Sequence, residues 1–194
     1  MISKYYPRTE KKIILICGTS GTGKTTLARE LSNALYIDHR LSTGFIREAI
    51  RSEMTIQAEP ELYNFTFRTE NPFEHFGYQA RRLYDATFAC IERARNEGTS
   101  LIIEGSTLTP NLYHSVGVDA LIVLAAPAKD EHWRRITGDT HCNRVISAND
   151  FENARRIDEY LREEAAEYNV PRIQFENNFE QILQLVSCKE ETSL

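Results

Sequence analysis

The sequence has no apolar run approaching the ~18 residues that a membrane-spanning helix needs. Its first twelve residues are polar and lack the apolar core of a secretory signal. A cytoplasmic protein without a membrane partner is therefore expected. Cysteine is sparse and scattered, at positions 17, 90, 142 and 188, and no C-x-x-C pair exists, which argues against a zinc site. Cys17 and Cys90 fall in apolar segments and read as buried thiols. His141-Cys142 stands in a polar stretch with no partner at ligand spacing, and reads as a solvent-facing loop. An excess of basic residues is also missing. The formal net charge is -5, which argues against long nucleic acid as a partner. No internal repeat, low-complexity tract or linker divides the chain. Its 194 residues, 41% hydrophobic and 26% charged, suit a single domain over 1–194. Nothing in the sequence bears on oligomeric state.

What is present is organised around Gly18-Thr19-Ser20-Gly21-Thr22-Gly23-Lys24-Thr25, which fits the phosphate-loop pattern G-x-x-x-x-G-K-[ST] at every fixed position. A short β-branched run, residues 13–17, precedes it and reads as a buried parallel strand. Leu27, Leu31, Ala34 and Leu35 follow at helical spacing. The three glycines allow backbone conformations closed to residues with a Cβ. Successive N–H groups then form a nest for phosphate oxygens, reinforced by the positive end of the helix. The motif places residues 18–26 around the phosphates, Thr26 included. Lys24 is expected at the β- and γ-phosphates of ATP and the Thr25 hydroxyl on Mg²⁺.

The rest of the chain alternates strands with helices. Strands are expected at 13–17, 36–38, 100–104, 119–124 and 171–175. Helices are expected at 24–35, 45–52, about 71–96, 129–136, 149–168 and 179–187, with a short helical turn opened by Thr109-Pro110. Asn71 with Glu74, and Asn149 with Glu152, have the spacing of helix-capping pairs. Residues 54–70 show no period. They are rich in aromatic and polar side chains, which suits a segment that covers a substrate. The alternation predicts an α/β fold, a five-stranded parallel sheet with helices on both faces.

Several residues narrow the chemistry. Glu104 ends the apolar strand Leu101-Ile102-Ile103-Glu104, where an acidic side chain can orient Mg²⁺ or contact an acceptor hydroxyl. Arg47 and Arg51 lie four apart on one helix face after the second strand. Arg134, Arg135 and Arg144 surround Gly138. Guanidinium groups match phosphate and neutralise charge on a phosphoryl in transfer. Gly138 and the polar run after it read as a mobile lid, about 134–149.

From about Ile13 to Leu185 the chain resembles the 2-phosphoglycerate kinase family of small P-loop kinases. The resemblance rests on the glycine loop, on Ser42-Thr43-x-x-Ile46-Arg47-Glu48 and on Ile102-Ile103-Glu104-Gly105. It continues through Glu131-His132 with Arg135, and from Phe151-Glu152 through Arg155, Arg156, Ile157, Tyr160 and Leu161 to Val170-Pro171. It implies a P-loop NTPase of the nucleoside-monophosphate-kinase-like type with a lid after the fourth strand. It also implies ATP-dependent phosphorylation of a small acceptor. Lys24, Glu104, Arg135 and Arg144 are then the catalytic candidates, with Thr43, Arg47 and Arg51 on the acceptor. The family carries aspartate after Ser-Thr, where this chain has Gly44, so Asp38 joins Glu104 as a candidate substitute. The competing expectations are a nucleotide-binding regulatory protein without phosphotransfer and a kinase of nucleotides or nucleic-acid ends.

Overall fold

The computed structural model describes residues 10–138 and 145–187. Five strands form one parallel sheet: β1 (Ile13–Cys17), β2 (His39–Ser42), β3 (Leu101–Glu104), β4 (Ala120–Leu124) and β5 (Arg172–Ile173), in the order β2-β3-β1-β4-β5. Around them lie α1 (Lys24–Leu35), α2 (Thr43–Ser52), a 3₁₀ turn at Pro60–Tyr63, α3 (Pro72–Glu97), α4 (Pro110–Tyr113), α5 (Lys129–Thr137), α6 (Ala148–Glu167) and α7 (Phe179–Ser187).

Strand residues alternate between two cores, as the period of two requires. Ile13, Leu15 and Cys17 join Ile91 of α3 and Ile157 and Leu161 of α6 on one face. Ile14 and Ile16 join Leu27 and Leu31 of α1 and Ile182 and Val186 of α7 on the other. Burial on both faces explains the continuous apolar runs of β1, β3 and β4. The chain leaves β1 toward β2 and β3 on one side, then crosses to β4 and β5 on the other. That reversal opens a crevice at the carboxyl ends of the strands, where ligands bind in open α/β sheets.

Three expectations shift. The second strand is His39–Ser42, not 36–38. Tyr36 takes a left-handed conformation, φ 54°, and closes α1 by donating its N–H to the Ser32 carbonyl. The cap of α6 is Ser147 with Asp150, a reciprocal capping box, rather than Asn149 with Glu152. Asn71 precedes α3, but its amide donates to the Glu74 carboxylate at 2.8 Å and leaves the backbone uncapped. Cys17 is fully buried, and burial pushes its thiol up to about 12, so it packs as a small apolar group. Cys90 is half-buried.

Candidate functional site

Beyond β1 the loop closes as its glycines require. Gly18, Gly21 and Gly23 have φ of 143°, 82° and 92°. A Cβ at Gly18 would lie 2.7 Å from the Leu124 carbonyl oxygen, so this turn leaves room only for hydrogen. Ser20, Gly21, Gly23, Lys24, Thr25 and Thr26 line one wall of a cavity of about 1130 Å³. Gly18, Thr19 and Thr22 shape the loop from beneath: Thr22 Oγ1 donates to the Thr19 carbonyl at 3.0 Å, and both threonines are buried. Lys24 Nζ reaches the same carbonyl at 2.6 Å.

A clamp holds the loop from the other side. His132 of α5 is fully buried, and its Nε2 donates to the Ser20 carbonyl at 2.7 Å. Burial lowers the His132 pKa, so the ring is neutral, and Nδ1 is buried without a hydrogen-bond partner. The ring lies so close to Gly21 that a Cβ there would approach its Cδ2 to 3.1 Å. In the sequence His132 stood out only through the family-like Glu131-His132 pair.

Sheet register brings Glu104 to the loop. Ser42, Glu104 and Ile16 occupy one row at the carboxyl end of the sheet. Glu104 is 9% exposed, and the Thr25 hydroxyl donates to its Oε1 at 3.1 Å. The pairing of a loop threonine with a strand-end carboxylate offers hard oxygen donors, which suit Mg²⁺. Among the described residues no group of three or more His, Cys, Asp or Glu could hold a metal by itself. Arg135 lines the cavity and pairs with Glu131, at 2.7 Å from Nε, and with Glu176. Burial lowers its pKa, but the two carboxylates outweigh burial and raise it.

The opposite wall comes from α2, the 54–70 segment and α3. Thr43, Phe45, Arg47, Phe65, Phe67 and Gln79 line it. Ser42 caps α2 by accepting the Gly44 N–H at 3.2 Å. Thr43 packs so closely on Gly105 that a Cβ there would collide with its hydroxyl at 1.8 Å. Arg47 donates from Nη1 to the Asn64 carbonyl at 3.1 Å, while its Nε is buried without a partner. Burial pushes its pKa down, partly offset by Glu48. Gln79, fully buried, donates to the carbonyls of Glu61 and, at 3.0 Å, Asn64, and its Oε1 has no partner. The sequence did carry a signal for Gln79, a polar residue among Phe76, Ala80 and Leu83 on the apolar stripe of α3.

Three candidates fall elsewhere. Asp38 is exposed just before β2, at the amino end of that strand. The four residues of β2 separate it from the crevice by roughly 13 Å, at about 3.3 Å per residue. Arg51 does not line the cavity. It pairs with Glu48 at 2.8 Å and lies 4.6 Å from the centre of the Tyr63 ring. The pair predicted on one face is thereby split, with Arg47 inside and Arg51 outside. Arg144 lies outside the described residues, as does most of the expected lid interior, 139–144. Arg134 lines the cavity but is largely exposed and paired with Glu131.

Comparison with known proteins gives three kinds of match. The family described as AAA domain matches residues 14–183. The chain is similar to archaeal proteins named 2-phosphoglycerate kinase. That of Methanopyrus kandleri is 30% identical, covering 93% of this chain and 61% of the relative. That of Methanothermobacter thermautotrophicus is 30% identical, covering 85% and 61%. That of Methanococcus maripaludis is 28% identical, covering 84% and 59%. The chain thus spans about three fifths of the length of these relatives. In fold it is similar to a shikimate kinase from Acinetobacter baumannii in complex with shikimate. That match has a TM-score of 0.58 and 16% identity, and covers 92% of this chain and 94% of the other. Together with the parallel sheet, it identifies the nucleoside-monophosphate-kinase-like P-loop fold.

Proposed function

The chain belongs to the AAA domain family, and on that premise we propose that it is an ATP-dependent small-molecule kinase. It moves the γ-phosphoryl of ATP to a hydroxyl or phosphate of a small anionic acceptor. The observation that carries this reading is the Thr25–Glu104 pair, set at the end of the glycine loop in the same cavity as Arg47. The similarity to 2-phosphoglycerate kinases supports it.

Each residue then has a task. The loop N–H groups and the positive end of α1 hold the phosphates. Lys24 bonds to them and keeps their charge in place. Thr25 and Glu104 would hold Mg²⁺, which would supply positive charge against the phosphates. Arg135 adds charge from α5, where the transferred group passes. Arg47 orients the acceptor by its anion. His132 fixes the loop that the others depend on.

The test is incubation with γ-labelled ATP, Mg²⁺ and a panel of phosphorylated compounds, carboxylates and polyols, 2-phosphoglycerate among them. The reading expects label on one small acceptor, and label confined to ATP and inorganic phosphate would refute it. Gly44 favours one second reading, a nucleotide-binding protein without transfer, because no carboxylate stands there to deprotonate an alcohol. The same assay separates the two.

A further inference from the structure

The turn after β5 brings two side chains to the cavity, Phe175 and Glu176. The turn is locked from within. Asn178 donates its N–H to the Phe175 carbonyl at 3.2 Å. Its side-chain amide donates to the carbonyls of Gln174, at 2.7 Å, and Glu176, at 3.0 Å. Asn177 takes a left-handed conformation, φ 61°, which asparagine tolerates better than most residues. Phe175 seats the turn on the phosphate loop, where a Cβ at Gly23 would lie 3.0 Å from its ring. Glu176 is thereby placed against the sheet and the loop together. Its Oε2 is buried, so the carboxylate is not turned out to solvent.

Arg135 reaches this turn from α5. Its Nε donates to Glu131 at 2.7 Å, one helical turn back, and its Nη1 donates to Glu176. Glu131 is a weak anchor by itself. It is shared with Arg134, and an i,i+4 pair on a helix surface holds two flexible side chains only loosely. A guanidinium is planar, with its N–H groups in a rigid fork. Two carboxylates from separate elements fix that plane where one would let it swing. The third nitrogen, Nη2, has no hydrogen-bond partner among the described residues and is not buried. Arg135 can therefore meet a phosphate oxygen without leaving either carboxylate.

This geometry decides between two roles for Glu176. A carboxylate beside a cation can quench its charge and hold it away from a phosphate, so that removal of the carboxylate strengthens binding. It can instead aim the cation, so that removal weakens binding. A quenching partner has to release the arginine when phosphate arrives. Here the open Nη2 makes release unnecessary, and the locked turn gives Glu176 little freedom to withdraw.

We propose that Glu176 is a positioning residue: it aims the Arg135 guanidinium at the γ-phosphate of bound ATP and acts only through Arg135. This rests on the kinase reading above, in which Arg135 supplies charge where the transferred group passes. A guanidinium preset in this way meets the developing charge without reorganising.

The experiment is calorimetry with two nucleotides, Mg·ADP and the Mg complex of an ATP analogue with an imido bridge between its β- and γ-phosphates. The proteins are the wild type, Arg135→Ala, Glu176→Ala, Glu176→Gln and the double variant Arg135→Ala/Glu176→Ala. The two side chains are 28% and 30% exposed, so neither truncation opens the core. Arg135→Ala should weaken binding of the analogue at least about tenfold, the worth of a charged hydrogen bond, and change ADP by less than about twofold. Glu176→Ala should weaken the analogue at least about fivefold, again with ADP little changed. Glu176→Gln keeps an acceptor for Nη1 and should recover most of the affinity. The double variant should lose no more than Arg135→Ala alone, which a merely structural role for the turn does not predict. Wild-type affinity or tighter binding in Glu176→Ala would overturn the inference. So would equal losses on ADP and the analogue, no recovery in Glu176→Gln, or a further loss in the double variant. Each of these leaves the kinase reading standing, because transfer of labelled phosphate tests it separately. Failure of the wild type to bind either nucleotide would overturn both.

Discussion

The two walls of the cavity are built differently. On the loop side the groups nearest the phosphate loop are matched, although His132 Nδ1 and Glu176 Oε2 are buried without a partner. Lys24 meets a carbonyl, Thr25 meets Glu104, and His132 meets Ser20. Its shape is set by local glycine conformation and sheet register. On the α2 side Arg47 Nε and Gln79 Oε1 are buried and unmatched. Its shape is set by contacts between distant segments. In the proposed function the loop wall takes the ATP phosphates and the α2 wall takes the acceptor. Substitutions on the first should therefore act on ATP and turnover, and those on the second on the acceptor.

The largest effect is expected from Lys24→Ala. Turnover should fall by at least about 10³-fold, with weaker ATP binding by calorimetry, since a cation at the developing charge is removed. An unchanged rate would erase the distinction between the walls. Glu104→Gln keeps shape and removes charge. We expect kcat to fall by about 10²-fold, with melting temperature little changed. Should the variant keep its full rate, the Thr25–Glu104 pair is structural only.

Arg47→Ala should raise the acceptor KM about 10- to 100-fold, the worth of a charged hydrogen bond, while the KM for ATP stays put. If both constants rise together, the walls are not separable.

The smallest effect concerns pH. His132 is buried neutral, its pKa lowered below the ordinary 6.5. The unfolded chain therefore binds a proton that the folded one does not. Stability from this group is complete above pH 6.5 and is lost as pH falls toward its folded pKa. Denaturant unfolding between pH 7 and 5 should show His132→Gln losing less stability than the wild type. Equal slopes would remove His132 as a neutral clamp.

The same division decides how much could be read in advance. The loop was legible because only glycine takes the φ values it needs, and because lysine and threonine follow at fixed spacing. β1, β3 and β4 were legible because strands buried on both faces are apolar throughout. β2 was not, because His39-Arg40-Leu41-Ser42 is an exposed edge strand without that signature. Residues 54–70 carry no period because they are held from outside. The carbonyls of Glu61, Asn64, Phe67 and Thr69 accept bonds from Gln79, Arg47 and Asn153, and Leu62 and Phe67 are buried anchors. Bonds from distant side chains leave no local pattern. Asp38 was misplaced with β2: a strand that starts three residues late leaves it at the wrong end of the sheet.

The proposed kinase reading requires direct transfer across one cavity, from the loop wall to the α2 wall. The stereochemistry at phosphorus tests it most directly, with ATP made chiral at the γ-phosphate and the configuration of the product determined. A single in-line displacement predicts inversion. Retention would require an intermediate phosphorylated on the protein and would contradict the claim.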